Sequence, residues 1–210
     1  MQIKMFPLGQ VDTNCYLFWE EGHTQCGVVD PSDRGDKIAQ IIQDLGLEPV
    51  AILLTHSHFD HILGIKGLRE VWPQLPIYCH PADIDQDTTT RLFGQSFPTV
   101  TAFAPVTPYE EGDTVTIGPL TAHVLHTPGH TRGSVTIRVD DVLFTGDTLF
   151  RGSMGRTDLP GGSMEEIMQS LARLGRLEGN YQVCPGHDRT TTMDTERTIN
   201  YYMLEAMGIR

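Results

Sequence analysis

The sequence has no run of about 18 consecutive apolar residues, so no membrane-spanning segment is expected. Its opening stretch, Met1-Gln2-Ile3-Lys4-Met5-Phe6-Pro7, lacks the apolar core of a secretion signal, which makes the cytoplasm the expected compartment. Cysteine is scarce. Cys15, Cys26, Cys79 and Cys184 lie far apart without a CxxC pair, which argues against a disulfide framework and for small, reduced, buried side chains. Basic residues are few as well: 15 Lys and Arg stand against 27 Asp and Glu, a formal charge of −12. No cationic excess is left to displace counterions from a phosphate backbone, so nucleic acid is not an expected partner. No linker or low-complexity stretch interrupts the chain. Its 210 residues are enough for one full core, and a single domain over residues 1–210 is expected.

What the chain does have is clustered histidine. In Thr55-His56-Ser57-His58-Phe59-Asp60-His61, four side chains able to bind a metal fall within six residues. They follow Val50-Ala51-Ile52-Leu53-Leu54, which reads as a buried strand, and a strand leading into a short loop carries such groups to a sheet edge. The spacing lets one pair, His56 and His58, hold one ion while Asp60 and His61 face a second. Imidazole with carboxylate suits zinc, iron or manganese.

The order of elements suggests two similar halves. Strands are expected at Gln2–Phe6, Cys15–Glu20 and Cys26–Asp30, then a helix from Ser32 or Asp33 to Leu45, stopped by Gly46. Ile38, Ile41, Ile42 and Leu45 give that helix one apolar side. The strand ending at Leu54 is followed by a helix over His61–Val71 and a strand at Pro76–Cys79. Pro81–Glu111 lacks a clean period and reads as a loose helix plus loop that either covers a site or simply connects the two halves. Strands resume at Thr114–Ile117, Leu120–His126, Ser134–Val139 and Val142–Thr145. A helix over Ser163–Leu174 has Ser163 and Glu166 in capping-box positions, and a strand at Tyr181–Cys184 precedes a last helix from Asp194. A two-sheet sandwich with outer helices accommodates this order.

Three later residues repeat the logic of the first loop. His130 in Thr127-Pro128-Gly129-His130, Asp147 in Thr145-Gly146-Asp147 and His187 in Cys184-Pro185-Gly186-His187 each follow a strand, beside a glycine that permits a tight turn. His23, His80, His123 and His126 fit no such pattern and are expected to lie outside the site.

With Asp30 in Val28-Val29-Asp30-Pro31, these positions make the chain resemble the metallo-β-lactamase superfamily over nearly its whole length. The resemblance implies an α/β fold, an αββα sandwich of two mixed sheets with helices on the outer faces. It implies a first metal held by His56, His58 and His130, a second held by Asp60, His61 and His187, Asp147 bridging them, and Asp30 supporting a ligand histidine. Two divalent ions, zinc by default with iron or manganese as alternatives, would generate a bridging hydroxide at neutral pH and polarise a carbonyl, with Asp60 orienting the nucleophile. Because ligand histidines must be neutral, metal affinity is expected to weaken below about pH 6.

Within that superfamily, Thr127–Ser134 and Phe144–Phe150 are similar to the glyoxalase II branch, which hydrolyses S-acylglutathione thioesters. A small-molecule thioester is therefore the expected substrate. The loop Arg151-Gly152-Ser153-Met154-Gly155-Arg156-Thr157-Asp158 departs from the familiar form: Arg156 takes the position of a lysine and Asp158 that of a tyrosine. Arg156 can still bind a carboxylate, or it can pair structurally with Asp158. The added helical domain that grips glutathione is not expected either, so the short, single-domain members are the better comparison. Gly155-Arg156-Thr157-Asp158 is also similar to persulfide dioxygenases, oxidoreductases that use one iron held by two His and one Asp, and this is the alternative activity. A β-lactamase would be expected to carry a secretion signal, and the flavin-coupled oxygen reductases of the family put Glu at the position of His58.

Overall fold

In the computed structural model, which describes residues 1–84, 89–92, 95–98 and 104–209, two mixed β-sheets face each other and helices cover their outer surfaces. The first half runs β1 (Gln2–Leu8), β2 (Thr13–Trp19), β3 (Gln25–Val29), α1 (Gly35–Asp44), β4 (Glu48–Leu53), α2 (Phe59–Ile62), α3 (Ile65–Val71) and β5 (Ile77–Cys79). A 3₁₀ turn at Pro81–Asp83 follows, then the hairpin β6 (Thr89–Leu92) and β7 (Gln95–Pro98), and β8 (Thr107–Pro108). The second half runs β9 (Thr114–Ile117), β10 (Leu120–His126), β11 (Val135–Val139), β12 (Val142–Gly146), the small hairpin β13 (Leu149–Phe150) and β14 (Ser153–Met154), and α4 (Met164–Gly175). It ends with β15 (Gln182–Pro185), β16 (Thr191–Thr192), α5 (Met193–Ile199) and α6 (Tyr201–Ala206).

The sheet orders are β1-β2-β3-β4-β5-β8 and β16-β15-β12-β11-β10-β9. Each sheet joins antiparallel strands to a parallel step, β3 to β4 in one and β12 to β15 in the other. Strands buried on both faces need apolar residues at every position, which is why β2 reads Cys15-Tyr16-Leu17-Phe18 without alternation. Tyr16 and Phe18 enter the layer between the sheets, where both meet Phe144 of β12 with ring centroids 5.3 and 5.4 Å apart. Cys15 and Leu17 point the other way, to a layer with Ile38 and Ile42 of α1 and Leu68 of α3. On the opposite side Leu143 and Val183 meet Leu171 and Leu174 of α4 and Met203 of α6. The parallel strands β4, β12 and β15 end at one common edge of this sandwich, and the loops rich in ligand-type residues leave from there.

Several boundaries differ from the sequence expectation for local reasons. Helix α1 starts at Gly35, not at Ser32 or Asp33, because Arg34 adopts left-handed backbone (φ 50°) and Ser32 donates its hydroxyl to the Thr13 carbonyl instead of capping the helix. It stops as expected at Gly46, with φ 66°. Ile38 and Ile42 are buried, whereas Leu45 is 39% exposed. The single helix expected over His61–Val71 is two, α2 and α3, and α2 begins at Phe59, so that Asp60 and His61 ride on its one turn. The last helix is also split, at Asn200, whose side chain caps α6. In α4 only half of the capping box forms: Ser163 accepts from the Glu166 N–H, but the Ser163 N–H goes to the Gly129 carbonyl. Pro81–Glu111 contains the 3₁₀ turn and short strands where a loose helix was expected. Residues 85–88, 93–94 and 99–103 of it lie outside the described residues, and so does the expectation that the segment covers the site. No described helix is long and apolar enough to cross a membrane.

Phe144 is fully buried and bridges the sheets, so Phe144→Ala is expected to cost about 3–5 kcal/mol of stability. Denaturant unfolding measures this; a loss under about 1 kcal/mol would contradict the packing role assigned to the ring.

Candidate metal centre

Backbone turns at the strand ends bring together seven side chains from four loops. Thr55-His56-Ser57 leaves β4, His58 stands in extended backbone just before α2, and α2 presents Asp60 and His61. His130 comes from the β10–β11 loop, Asp147 follows β12, and His187 follows β15. Two glycines make the approach possible. A Cβ on Gly186 would lie 2.2 Å from Asp147 Oδ1 and 2.8 Å from His61 Cε1, and one on Gly155 would lie 1.8 Å from the Asp147 carbonyl oxygen. Any side chain at either position would push Asp147 aside.

Hydrogen bonds on the outer nitrogens settle where the inner lone pairs point. His130 Nδ1 lies 2.8 Å from the Arg156 carbonyl oxygen, which can only accept, so His130 carries its proton there and leaves Nε2 bare. His187 Nδ1 donates in the same way to the Val11 carbonyl at 3.2 Å. His61 Nδ1 donates to Asp30 Oδ2 at 2.8 Å. Thr55 gives its hydroxyl proton to Asp30 Oδ2 at 2.6 Å and so accepts from His56 Nδ1 at 3.1 Å. Asp30 is thus the common anchor of two of the rings, as expected of a supporting carboxylate, and it also accepts the Thr55 N–H at 2.8 Å.

The inner atoms form two groups. His58 Nδ1 lies 3.1 Å from His56 Nε2 and 2.9 Å from His130 Nε2. The tetrahedral edge for Zn–N bonds of 2.0–2.1 Å is about 3.3 Å, close to these separations. Asp60 Oδ2 lies 3.6 Å from His61 Nε2 and 3.3 Å from His187 Nε2. Asp147 faces both groups: Oδ1 is 3.5 Å from His61 Nε2, and Oδ2 is 3.5 Å from both His130 Nε2 and His187 Nε2. His61 Nε2 and Asp147 Oδ1 are buried without a hydrogen-bond partner among the described residues. A buried polar pair left this way is costly unless something binds between them, and a divalent cation fits that donor set. Asp30, His56 and His61 also come within reach of one another, but both Asp30 oxygens are already engaged by Thr55 and His61.

Electrostatics separate the two groups. Burial first, and then the neighbouring histidines, push His56 well down from the usual imidazole range and His58 down to about 4. At His61 burial pulls the same way, but Asp60, Asp30 and Asp147 together outweigh it and raise the ring to about 9. At His187 burial is likewise outweighed, by Asp147 and Asp60, and the ring rises to about 10. The same contacts overcome the effect of burial on the carboxylates, bringing Asp147 down to about 2 and Asp60 below the usual range.

A cavity of about 150 Å³ opens onto this cluster. His58, Asp60, His130, Asp147 and His187 form its floor, with Val11, Phe59, Arg156 and Leu159 around it. Arg156 makes a two-pronged contact with Asp158, Nε to Oδ1 at 2.7 Å and Nη2 to Oδ2 at 2.8 Å, both side chains being exposed. The structural pairing left open by the sequence is therefore present, and Arg156 stands at the cavity as well. His23, His80, His123 and His126 stay out of the cluster; His80 and His126 stack on each other, with centroids 4.3 Å apart.

Sequence reasoning missed the residues that brace the site from β2. Thr13 donates its hydroxyl to Asp60 Oδ2 at 2.7 Å. Asn14 donates from Nδ2 to the carbonyls of Pro185 and Asp188, and Tyr16 donates its hydroxyl to that of Pro185, together fixing the loop of His187. The available signal was the pair Thr13-Asn14, two polar residues at the start of a strand otherwise apolar on both faces.

The family profile described as "Metallo-beta-lactamase superfamily" matches residues 8–187. The chain is 38% identical to "Probable metallo-hydrolase YqgX" of Bacillus subtilis (strain 168), covering 97% of this chain and 98% of that protein. It is 30% identical to "Hydroxyacylglutathione hydrolase GloC" of Haemophilus influenzae, with 97% and 98% covered. Among solved structures, BLEG-1 B3 metallo-beta-lactamase superposes with TM-score 0.84 at 32% identity, covering 96% of this chain and 99% of that one. TTHA1623 in a di-iron-bound form gives 0.81 at 37%, with 95% and 99% covered. ETHE1 from Myxococcus xanthus gives 0.78 at 29%, with 96% and 84% covered.

The raised rings at His61 and His187 must lose protons to bind an ion, whereas His56 and His58 are already neutral near pH 7. Loading the Asp60-His61-His187 group at pH 7 is therefore expected to release about two protons per ion. Neither His56 nor His58 should contribute a proton when the other group is loaded. On acidification the Asp60-His61-His187 group should weaken through the whole neutral range, because protons compete with the ion for its two raised rings. For this group the loss expected from the sequence below about pH 6 therefore begins at higher pH. Calorimetric metal titrations in buffers of different ionisation enthalpy count the protons; equal release from both events would contradict the assignment.

Proposed function

The chain belongs to the metallo-beta-lactamase superfamily, and from that membership we propose that it is a metal-dependent hydrolase of small-molecule thioesters, of the glyoxalase II type. In this reading the chain is one domain over residues 1–210, working in the cytoplasm. It holds two divalent ions, zinc by default with iron or manganese as alternatives. His56, His58 and His130 hold one, Asp60, His61 and His187 hold the other, and Asp147 is shared. The observation that carries the reading is the position of Asp147, with one oxygen facing His61 and the other facing His130 and His187 at 3.5 Å.

Bound divalent ions supply Lewis acidity and bring the pKa of a bound water to about 7. The protein's own part is positioning. Thr13 fixes one oxygen of Asp60, so the carboxylate is held in a single orientation at the cavity floor, where it can accept a hydrogen bond from the attacking water. Phe59, Leu159 and Val11 give the acyl group an apolar wall. Arg156 offers positive charge to the carboxylates of a glutathione-like thiol half, and Asp158 competes for it. Support for the thioester class comes from the likeness to GloC, named a hydroxyacylglutathione hydrolase.

The second reading, a mononuclear iron persulfide dioxygenase, is favoured by the likeness to ETHE1 and by Gly155-Arg156-Thr157-Asp158. Metal analysis with paired thioester and oxygen-uptake assays separates the two. The hydrolase reading expects two ions per chain, thioester turnover without oxygen consumption, and a loss of about 100-fold or more in Asp147→Ala. One iron with persulfide-dependent oxygen uptake would overturn it.

A second expectation concerns substrate grip. Arg156→Ala should raise KM for an S-acylglutathione more than it lowers kcat, and Asp158→Asn, which frees the guanidinium, should lower KM. Unchanged KM in both variants would remove this pair from the substrate site.

A further inference from the structure

The loops of His56, His58 and His130 come from different sheets and are joined beside the ligands by the Val135 N–H, which donates to the Thr55 carbonyl at 2.8 Å. One side chain outside both loops contacts each of them. Asp83 ends the 3₁₀ turn after β5 and is buried, with 8% of its surface exposed. Its Oδ2 accepts from the Ser57 N–H at 3.1 Å and the Thr131 hydroxyl at 2.9 Å, and its Oδ1 accepts from the Gly133 N–H at 2.8 Å. Ser57 lies between His56 and His58, and Thr131 follows His130 directly. We propose that Asp83 is the positioning residue of the His56-His58-His130 metal site, a carboxylate clamp that sets the separation of its two ligand loops.

The surroundings of Asp83 are built for this contact. A Cβ on Gly133 would lie 2.6 Å from Asp83 Oδ1, so glycine there admits the carboxylate. The turn that carries Asp83 is itself fixed: His80 Nδ1 accepts the Ala82 N–H at 3.2 Å, and Pro81 occupies the first position. The His80 ring stacks on His126, whose Nε2 lies 2.9 Å from the Arg132 carbonyl oxygen on the His130 loop. Thr131 is held in place by Ser134, whose hydroxyl lies 3.0 Å from the Thr131 N–H and 2.7 Å from its Oγ1. All three donors to Asp83 belong to these two loops. The other group has braces that Asp83 does not touch, Thr13 on Asp60 and Asn14 on the loop of His187, whereas Asp30 serves His61 and, through Thr55, His56. Asp83 therefore acts on one site of the two.

The inference rests on the two-ion reading of the centre and is tested by metal binding alone. Zn²⁺ is titrated into metal-stripped wild type, Asp83→Asn and Thr131→Val against a chromophoric chelator, with unfolding temperature recorded in parallel. His58→Ala and Asp60→Ala identify which dissociation constant belongs to which group. In Asp83→Asn the amide NH₂ faces a donor it cannot accept from, and the constant of the His56-His58-His130 group is expected to weaken by about 10–100-fold. That of the Asp60-His61-His187 group should remain within about twofold, with Thr131→Val smaller but in the same direction. If Asp83→Asn does not fold, the constants of Thr131→Val decide the question. Parallel weakening of both constants would make Asp83 a general fold brace, and unchanged constants would remove it from the site; either overturns the proposal. Wild type that takes up a single Zn²⁺ would instead refute the two-ion reading beneath it.

Discussion

Everything at this site depends on hydrogen bonds that face away from it. The outer nitrogens of His56, His61, His130 and His187 are tied to a threonine hydroxyl, a carboxylate and two backbone carbonyls. With one proton of each ring held outside, the inner Nε2 atoms face one another, Asp60 and Asp147, and each carries a lone pair unless the ring takes up a second proton. Convergent lone pairs and carboxylate oxygens in a buried place repel unless a cation lies among them, so the arrangement is stable as a whole only with positive charge. At His61 and His187 protons meet part of that need, which is why both rings are raised. At His56 and His58 burial and neighbouring rings keep protons off.

The sandwich exists to hold those outer acceptors still. Asp30 directly follows β3, whose residues are packed on both faces, and Val11 and Arg156 lie on loops at the same edge, beside the cavity. Because the frame is generic, it does not choose the reaction. Proteins of similar fold carry names as different as a B3 metallo-beta-lactamase, ETHE1 and a hydroxyacylglutathione hydrolase. In the reading proposed above, choice of substrate falls to the residues around the cavity, Arg156 with its partner Asp158, Phe59 and Leu159.

Much of this was legible from the chain because residues suited to hold a metal sit at strand ends, beside glycines, in a spacing that chance seldom produces. His56, His58, Asp60, His61, His130, Asp147 and His187 all meet in one cluster, and the two mixed sheets and outer helices take the expected order. The braces were not legible. Thr13, Asn14 and Asp83 act through contacts with residues 47, 174 and 48 positions away, and nothing in their own neighbourhoods marks those partners. The start of α1 was misplaced for a related reason, since Ser32 had a better partner in the Thr13 carbonyl than in the helix end; at α4 the cap Ser163 formed as expected, and only its N–H went elsewhere, to the Gly129 carbonyl. Long-range hydrogen bonds override local capping preference when both ends are buried.

The central claim is that two groups of inner atoms, sharing Asp147, each hold one ion. Anomalous diffraction from crystals loaded with Zn²⁺ tests it directly. The account predicts two peaks, one touching His56 Nε2, His58 Nδ1 and His130 Nε2 and the other touching Asp60, His61 Nε2 and His187 Nε2, with Asp147 reaching both. A single peak at full loading, or a peak bound by the outer nitrogens, would contradict it.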